Sequence, residues 1–327
     1  LCLLIMPLAV CSAAQTDAWL THYEQSGFKE TPRYEQTVEF AERLANESEF
    51  VQYLSFGSSP QGRNLPLLII SDPNLSDASA AIEVKKATIL IQACIHAGES
   101  DGKDAGLMLI RDMVIHKKHL DLLENLTILF VPIFNVDGHE QFSKYNRINQ
   151  NGPEEMGWRT TAQKLNLNRD YLKADAPEMR AMIRLFQEAM PDFYIDCHVT
   201  DGADYIYPLT YGLQLQGNLA PEQTTWLKEQ YLSYVTKKME QSGNPIAPYL
   251  GFVEWHNPLS GIRAYYESPR YSGGYAALNN RPTLLIETHM LKDYKTRVTA
   301  TYHMLQYSLE QIASQHKELI DINRRAD

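Results

Sequence analysis

The sequence has few cysteines, no excess of basic residues and no apolar run long enough to span a bilayer. It contains 4 Cys among 327 residues, and two of them lie within the first eleven positions. The other two, Cys94 and Cys197, cannot form a disulfide framework. We interpret both as small buried residues on core strands, and a single bridge between them stays open. With 30 basic against 40 acidic residues and a net charge of −10, nucleic acid and anionic membranes are poor partners.

The N-terminal segment reads as an export signal. Residues 1–10 are almost wholly apolar but too few to cross a bilayer. Small residues follow, and we expect cleavage after Ala14. We therefore predict a signal peptide at 1–14, truncated at its start, a secreted or periplasmic protein, and no stable membrane insertion after cleavage. A lipid anchor at Cys11 is the less favoured alternative, because Val10 stands where such processing requires a small residue.

Hydrophobic residues make up 44% of the chain and charged residues 21%, which allows a sizeable core. Apolar runs of strand length alternate with helical patterns. We predict strands at 65–71, 87–95, 126–134, 192–198 and 282–287, and helices at 102–116, 176–190, 222–241 and 295–323. This alternation indicates an α/β layer architecture with a sheet covered on both faces. With no linker between halves, we predict one domain over 15–327, which can continue beyond Asp327.

Two long segments, 143–165 and 242–280, have little periodicity. Long irregular loops inside a compact domain usually carry function. We therefore expect both of them to contribute to a site.

The motif His96-Ala97-Gly98-Glu99 follows the predicted strand 87–95 directly, where a helical pattern opens. Ligand sites in open α/β sheets lie at the carboxyl ends of strands. Zinc accepts an imidazole nitrogen and a carboxylate oxygen together. Alone the motif is weak, because Glu99 could instead be a surface residue that favours the start of a helix.

Two further residues close apolar strands. His198 ends the strand 192–198, and with His96 and Glu99 it completes the ligand set of a catalytic zinc that keeps one position open for water. Glu287 ends the strand 282–287, where a carboxylate is expensive to bury. Glu287 could take a proton from a water bound to the metal. As alternatives to these roles, His198 could be a hydrogen-bonded strand-end residue, and Glu287 could be a salt-bridge partner or a solvated residue.

The segment 143–165 and its continuation contain Trp158-Arg159 and Asn168-Arg169. Arg binds a carboxylate bidentately and keeps its charge in any environment. Arg169 beside Asn168 could therefore receive the terminal carboxylate of a substrate. A surface salt bridge is the alternative for either arginine.

In this order the elements resemble the zinc carboxypeptidase family of the carboxypeptidase A type, as a bacterial-like secreted member, from about Phe56 to Asp293. The motifs similar to those of the family are the Gly62-Arg63 turn, His96-x-x-Glu99, Asn135-Val136-Asp137-Gly138, Trp158-Arg159, Asn168-Arg169, His198 with the later Tyr207-Pro208, and Glu287. The resemblance implies a mixed, mostly parallel central sheet covered by helices on both faces. It implies one Zn²⁺ held by His96, Glu99 and His198.

The resemblance also implies roles for the remaining site residues. Glu287 would be the general base and Arg159 would polarise the scissile carbonyl, although Arg147 lies in the same loop. Asn168 and Arg169 would hold the C-terminal carboxylate. Tyr271 is the best match to the family's mobile tyrosine, with Tyr265, Tyr266 and Tyr275 as rivals.

Some positions depart from the family pattern. Gly98 stands where a variant of the family motif has an arginine, and Val136 replaces a proline. The residue that would select the side chain of the substrate cannot be placed from the sequence.

We therefore expect a zinc metallocarboxypeptidase that hydrolyses the C-terminal peptide bond of peptides by a metal-activated water, with Glu287 as its base. Its substrate would be a peptide with a free C-terminal carboxylate. A related zinc amidohydrolase, a peptidase of cell-wall peptides or a non-catalytic binding module on the same scaffold are alternatives. Oligomeric state and side-chain preference are not encoded in these motifs.

Overall fold

The computed structural model describes residues 18–73, 86–200, 202, 204–215, 218–254, 257–264 and 267–327. The predicted signal peptide, with Cys11 and Ala14, lies outside the described residues. Among the described residues, no helix combines the length and apolar composition that a membrane crossing requires.

Eight strands form one mixed sheet in the order β1-β2-β4-β3-β5-β10-β6-β7. Their bounds are β1 Val51–Ser58, β2 Asn64–Ile70, β3 Ala87–Gln92, β4 Leu126–Val131, β5 Phe193–Val199, β6 Leu209–Leu213, β7 Ile246–Pro248 and β10 Thr283–Thr288. The four neighbours β4, β3, β5 and β10 run parallel, while β1, β2 and β6 pair antiparallel with neighbours. A separate hairpin joins β8 Leu250–Glu254 to β9 Asn257–Ala264.

Helices cover both faces of the sheet. They are α1 His22–Gln25, α2 Tyr34–Glu47, α3 Asp101–Val114, α4 Val136–His139, α5 Pro177–Ala189, α6 Pro221–Trp226, α7 Ser233–Gln241, α8 Ser272–Leu278, α9 Tyr294–Ser314 and α10 His316–Ala326. Successive side chains of a strand point to opposite faces. Ile89 and Ile91 of β3 accordingly pack in one core cluster with α3 and α9, and Leu90 packs in a second cluster with α5. The mixed sheet with two covered faces confirms the predicted fold class.

Several predicted bounds need correction. β3 ends at Gln92 rather than 95, because Cys94 has a left-handed backbone (φ 55°) that breaks the ladder. β4 ends at Val131 rather than 134. The predicted helix 295–323 is two helices that break at Gln315, whereas 222–241 is helical throughout, with one π-helical turn at Leu227–Leu232.

The segment 242–280 is not irregular throughout, as predicted from its Gly, Pro and Asn content. It contains β7, the β8–β9 hairpin and helix α8. Cys94 and Cys197 are both buried and both free thiols, so no bridge joins them. Cys94 lies just after β3 rather than on it, and Cys197 lies on β5 as predicted.

Candidate active site

The carboxyl ends of three parallel neighbours, β3, β5 and β10, meet at one edge of the sheet. The register pairs Glu287 of β10 with His198 of β5, so both side chains leave the sheet at the same level. The turn after β3 brings His96 and Glu99 to this edge before α3 begins at Asp101. The structure thus brings together residues that are up to 191 positions apart.

The three predicted ligands form a buried cluster. His96, Glu99 and His198 each offer one ligand atom, and these atoms lie within 4.8 Å of one another. Nδ1 of His96 lies 3.1 Å from Oε1 of Glu99, and Nδ1 of His198 lies 2.9 Å from Oε2. All three side chains are 4% exposed or less.

The outer nitrogens of both imidazoles have partners. Nε2 of His198 lies 2.9 Å from Asp196 Oδ2, and Nε2 of His96 lies 3.2 Å from Asn166 Oδ1. An ionised carboxylate only accepts, so His198 donates Nε2–H to Asp196. A neutral His198 then turns the lone pair of Nδ1 toward Glu99. Nδ1 of His96 also faces the cluster, and it is buried without a hydrogen-bond partner among the described residues.

The lone pair of His198 Nδ1 and the carboxylate oxygen of Glu99 would repel each other unless a cation lies between them or His198 takes up a second proton. Two imidazole nitrogens and one carboxylate are a donor set that catalytic zinc sites use. A carboxylate or amide on the outer nitrogen is the usual support of a zinc-binding histidine. The residues present therefore fit a zinc ion.

The pKa shifts of the three residues differ in direction, and the shift of His198 reflects the proton that its ring takes up when no cation lies in the cluster. Burial lowers the pKa of His96 to about 4, which leaves its ring neutral. Burial would raise the pKa of Glu99, but His96, Arg147 and His198 hold it well below its usual value. Burial would lower the pKa of His198, but Asp196 and Glu99 raise it well above its usual value.

The two candidate arginines have different surroundings. Arg147 donates from Nη1 to Glu99 Oε1 at 2.6 Å and from Nη2 to the carbonyls of Val199 and Thr200, so its guanidinium is engaged within the fold. Arg159 lines the cavity, with a half-exposed side chain whose Nη1 lies 3.3 Å from Glu99 Oε1. Arg159 therefore lines the cavity, whereas Arg147 does not.

Gly98 departs from the family pattern for a steric reason. A Cβ at this position would lie 2.9 Å from Cδ of Arg147 and 2.8 Å from the carbonyl oxygen of Gly157. A side chain here would push Arg147 away from Glu99.

The Asn135–Gly138 motif, in which Asn135 caps the start of helix α4, supports the segment of Arg159. The side chain of Asn135 accepts from the Gly138 N–H at 3.0 Å and donates to the Arg159 carbonyl at 3.1 Å. Asp137 accepts from Arg63 at 2.8 Å, so the Gly62-Arg63 turn is attached to the same helix.

Asn168 and Arg169 lie in a short 3₁₀ turn, Leu167–Arg169, and both line the cavity. Oδ1 of Asn168 is buried without a hydrogen-bond partner among the described residues. The guanidinium of Arg169 lies 4.4 Å from the ring centroid of Tyr271, which also lines the cavity.

Of the rival tyrosines, Tyr275 does not line the cavity. Its ring packs 5.4 Å from those of Tyr171 and Phe186, and its hydroxyl accepts from Gln187. Tyr265 and Tyr266 lie outside the described residues.

The cavity has a volume of ≈ 290 Å³, and some of its lining residues were not predicted from the sequence. They are Val199, Thr200, Tyr249, Glu267 and Leu285. Leu285 precedes Glu287 by two positions on one strand and so shares its face, a relation that the sequence contained. Glu267 follows the β8–β9 hairpin, and no periodicity marked it.

The site combines two histidines and a glutamate at the strand ends of a mixed α/β fold, which is the arrangement of a metallohydrolase scaffold. Comparisons with known proteins identify the family. The sequence profile described as zinc carboxypeptidase matches residues 37–244. The chain belongs to the zinc carboxypeptidase family.

Carboxypeptidase 2 of Trichophyton rubrum is 28% identical over 173 residues, which cover 51% of this chain and 28% of that protein. The matched segment thus spans less than a third of the length of the curated relatives.

Solved structures with a similar fold include carboxypeptidase A of Helicoverpa armigera (TM-score 0.61, 18% identity, 89% of this chain and 75% of that one). Another is the Pseudomonas aeruginosa metallo-carboxypeptidase in complex with (2-guanidinoethylmercapto)succinic acid (TM-score 0.61, 18% identity, 88% and 69%). At these identities the likeness concerns the fold alone.

Proposed function

We propose that this chain is a zinc-dependent metallocarboxypeptidase that removes the C-terminal residue of peptides. The observation that carries the proposal is the buried cluster of His96, Glu99 and His198 in one cavity with Glu287. Membership of the family supports the same activity.

His96, Glu99 and His198 would hold one zinc ion. When bound, zinc supplies Lewis acidity that polarises a scissile carbonyl and acidifies an attacking water. Asp196 and Asn166 hold the outer nitrogens of the two imidazoles, so the inner nitrogens stay directed at the metal. Arg147 fixes the glutamate ligand from the other side.

Glu287 lines the cavity from the end of β10, and the next residue of the strand is hydrogen-bonded to the core. The hydroxyl of Thr288 donates to Asp101, which in turn pairs with the fully buried Arg297 at 2.9 Å. We propose that a carboxylate oxygen of Glu287 accepts the proton of the attacking water and returns it to the leaving amine. Arg159 would donate hydrogen bonds to the carbonyl oxygen as charge develops there.

The free carboxylate of the substrate would bind Arg169 and Asn168, and Tyr271 would lie over it. Arg169 brings a fixed charge, and the amide of Asn168 brings N–H donors. This receptor makes the reaction an exopeptidase reaction, because an amidated C-terminus lacks the charge that Arg169 binds. We also propose export of the protein by the signal-like residues 1–14, followed by a single catalytic domain.

The test is turnover by the zinc-loaded protein of an N-blocked dipeptide, the same dipeptide amidated at its C-terminus, an N-acyl amino acid and a cell-wall peptide with a D-centre. We expect hydrolysis of the free dipeptide and little of its amide. Preference for the N-acyl amino acid or the cell-wall peptide would favour the related activities, and no turnover of any would favour a binding module.

Two variants test the role of the zinc site and the role of the general base separately. Glu287→Gln should bind zinc like the parent and lose about 10²–10⁴-fold in kcat. His198→Ala should lose zinc and activity together. A Glu287→Gln variant as active as the parent would refute the role of this residue.

A further inference from the structure

The cavity contains, besides Glu99 and Glu287, a carboxylate that the hydrolytic chemistry does not use. Glu267 is 5% exposed and lines the same cavity as the ligand cluster and Glu287. Along the chain it lies between the β8–β9 hairpin and helix α8.

Local packing holds the Glu267 carboxylate in place. Its Oε2 accepts the backbone N–H of Gly273 at 3.0 Å. A Cβ at Gly273 would lie 2.1 Å from this oxygen, so only glycine leaves room for the carboxylate.

Three buried carboxylates of the fold pair with an arginine, whereas Glu267, like Asp104, Glu178 and Asp196, has no arginine partner among the described residues. Asp101 pairs with Arg297, Asp137 with Arg63 and Glu99 with Arg147. Within the described ranges Glu267 forms no ion pair. Burial and the nearby Asp196 raise the pKa of Glu267 to about 7, as expected for a carboxyl group without a cation in contact. A cation delivered by a ligand would lower this pKa and keep the group ionised.

The lining of the cavity matches a long cationic side chain. Leu285, on the strand of Glu287, and Tyr249 add apolar surface to the same cavity. Long basic side chains bury their aliphatic stems along apolar surface and direct the charged end to a polar partner. A bound residue would then place its carboxylate on Arg169 and its cation on Glu267.

We propose that Glu267 is the specificity-determining residue of this site and selects substrates with Lys or Arg at the C-terminus. This inference rests on the proposed carboxypeptidase function. It requires only that the substrate enters with its terminal carboxylate at Asn168 and Arg169.

The test compares kcat/KM for N-blocked dipeptides that end in Arg, Lys or norleucine, in the zinc-loaded parent and in Glu267→Gln. Norleucine has an unbranched aliphatic side chain and no charge. Hydrogen-bonded ion pairs in desolvated sites contribute strongly, so we expect the parent to prefer Arg or Lys over norleucine by about 100-fold. Glu267→Gln should remove most of this preference and change the norleucine value less than about threefold.

The matched control is Glu178→Gln, which makes the same change in a buried carboxylate that does not line the cavity. It should keep the preference for basic residues. If Glu267→Gln does not fold, Glu267→Asp keeps the charge on a shorter side chain and should keep a preference for basic residues over norleucine. An active parent that prefers norleucine, or a Glu267→Gln variant with an unchanged preference, would overturn the inference.

A binding measurement keeps this inference separate from the proposed function. Calorimetry on the zinc-loaded parent should give tighter binding of L-arginine than of L-norleucine, and Glu267→Gln should equalise the two. If no peptide is cleaved but this difference appears, the proposed activity fails while Glu267 still recognises the cation. If peptides are cleaved and the difference is absent, only the role of Glu267 fails.

Discussion

Substitution of Asp196 by Asn should weaken zinc binding without removing any zinc ligand. The carboxylate accepts from three donors at once: Nε2 of His198 at 2.9 Å, Nε2 of Gln92 at 2.8 Å and the hydroxyl of Ser272. An amide of the same shape has one acceptor oxygen and no charge, so it cannot satisfy all three donors.

The size of the effect follows from these bonds. A hydrogen bond to a charged group contributes about 1.5–3 kcal/mol and a neutral one about 0.5–1.5 kcal/mol. The bond to His198 therefore loses about 1–1.5 kcal/mol, which corresponds to roughly tenfold in affinity. Looser orientation of the ring adds to this loss, and outer partners of metal ligands typically account for about 10–100-fold in affinity.

The assay is competition for zinc between the metal-free protein and a chelator of known affinity. The control is Asp192→Asn, because Asp192 precedes the same strand at its opposite end and accepts from the Thr88 N–H. This control should bind zinc as the parent does. An Asp196→Asn variant that matches the parent in zinc affinity would refute the reasoning.

Three further perturbations have expected outcomes. Burial, together with Lys103, lowers the pKa of His139 to about 3, so the unfolded chain binds more protons below pH 6.5. The free energy of unfolding of the metal-free protein should fall by about 1.4 kcal/mol between pH 7.5 and pH 5.5 through this group, and His139→Gln should lack that part in urea titrations. Arg297→Met leaves Asp101 buried without its partner and should cost about 3–5 kcal/mol in the same titration, whereas a cost below 1 kcal/mol would contradict the pairing. Gly98→Ala introduces a Cβ 2.9 Å from Arg147 and should cost about 1–3 kcal/mol, and wild-type stability would show that the turn adapts freely.

The fold could be predicted where local pattern and tertiary packing agree. The runs at β3, β4, β5 and β10 are continuous apolar segments because both faces of those strands are covered. Their ends were harder to predict. The apolar pattern continues past Gln92, but the left-handed backbone at Cys94 ends the strand there, so that the following turn can carry His96 and Glu99 to the cluster.

The site could be predicted in part for a related reason. Strand ends are marked in the sequence, and His198 and Glu287 close apolar strands, so their meeting followed from a parallel sheet. Glu267 and Tyr249 reach the cavity from segments around the hairpin whose position depends on tertiary packing alone. Arg147 and Arg159 could not be told apart, because their difference is the set of carbonyls that Arg147 meets across the fold.

The central claim is that two imidazoles and one carboxylate hold a single zinc ion. X-ray absorption at the zinc edge, with metal analysis of the parent and of His198→Ala, tests it most directly. We expect one zinc per chain, with scattering from two histidine rings and further oxygen ligands in the parent, and loss of one ring or of the metal in the variant. A parent that binds no divalent ion, or a variant with the same zinc content and the same two rings, would contradict it.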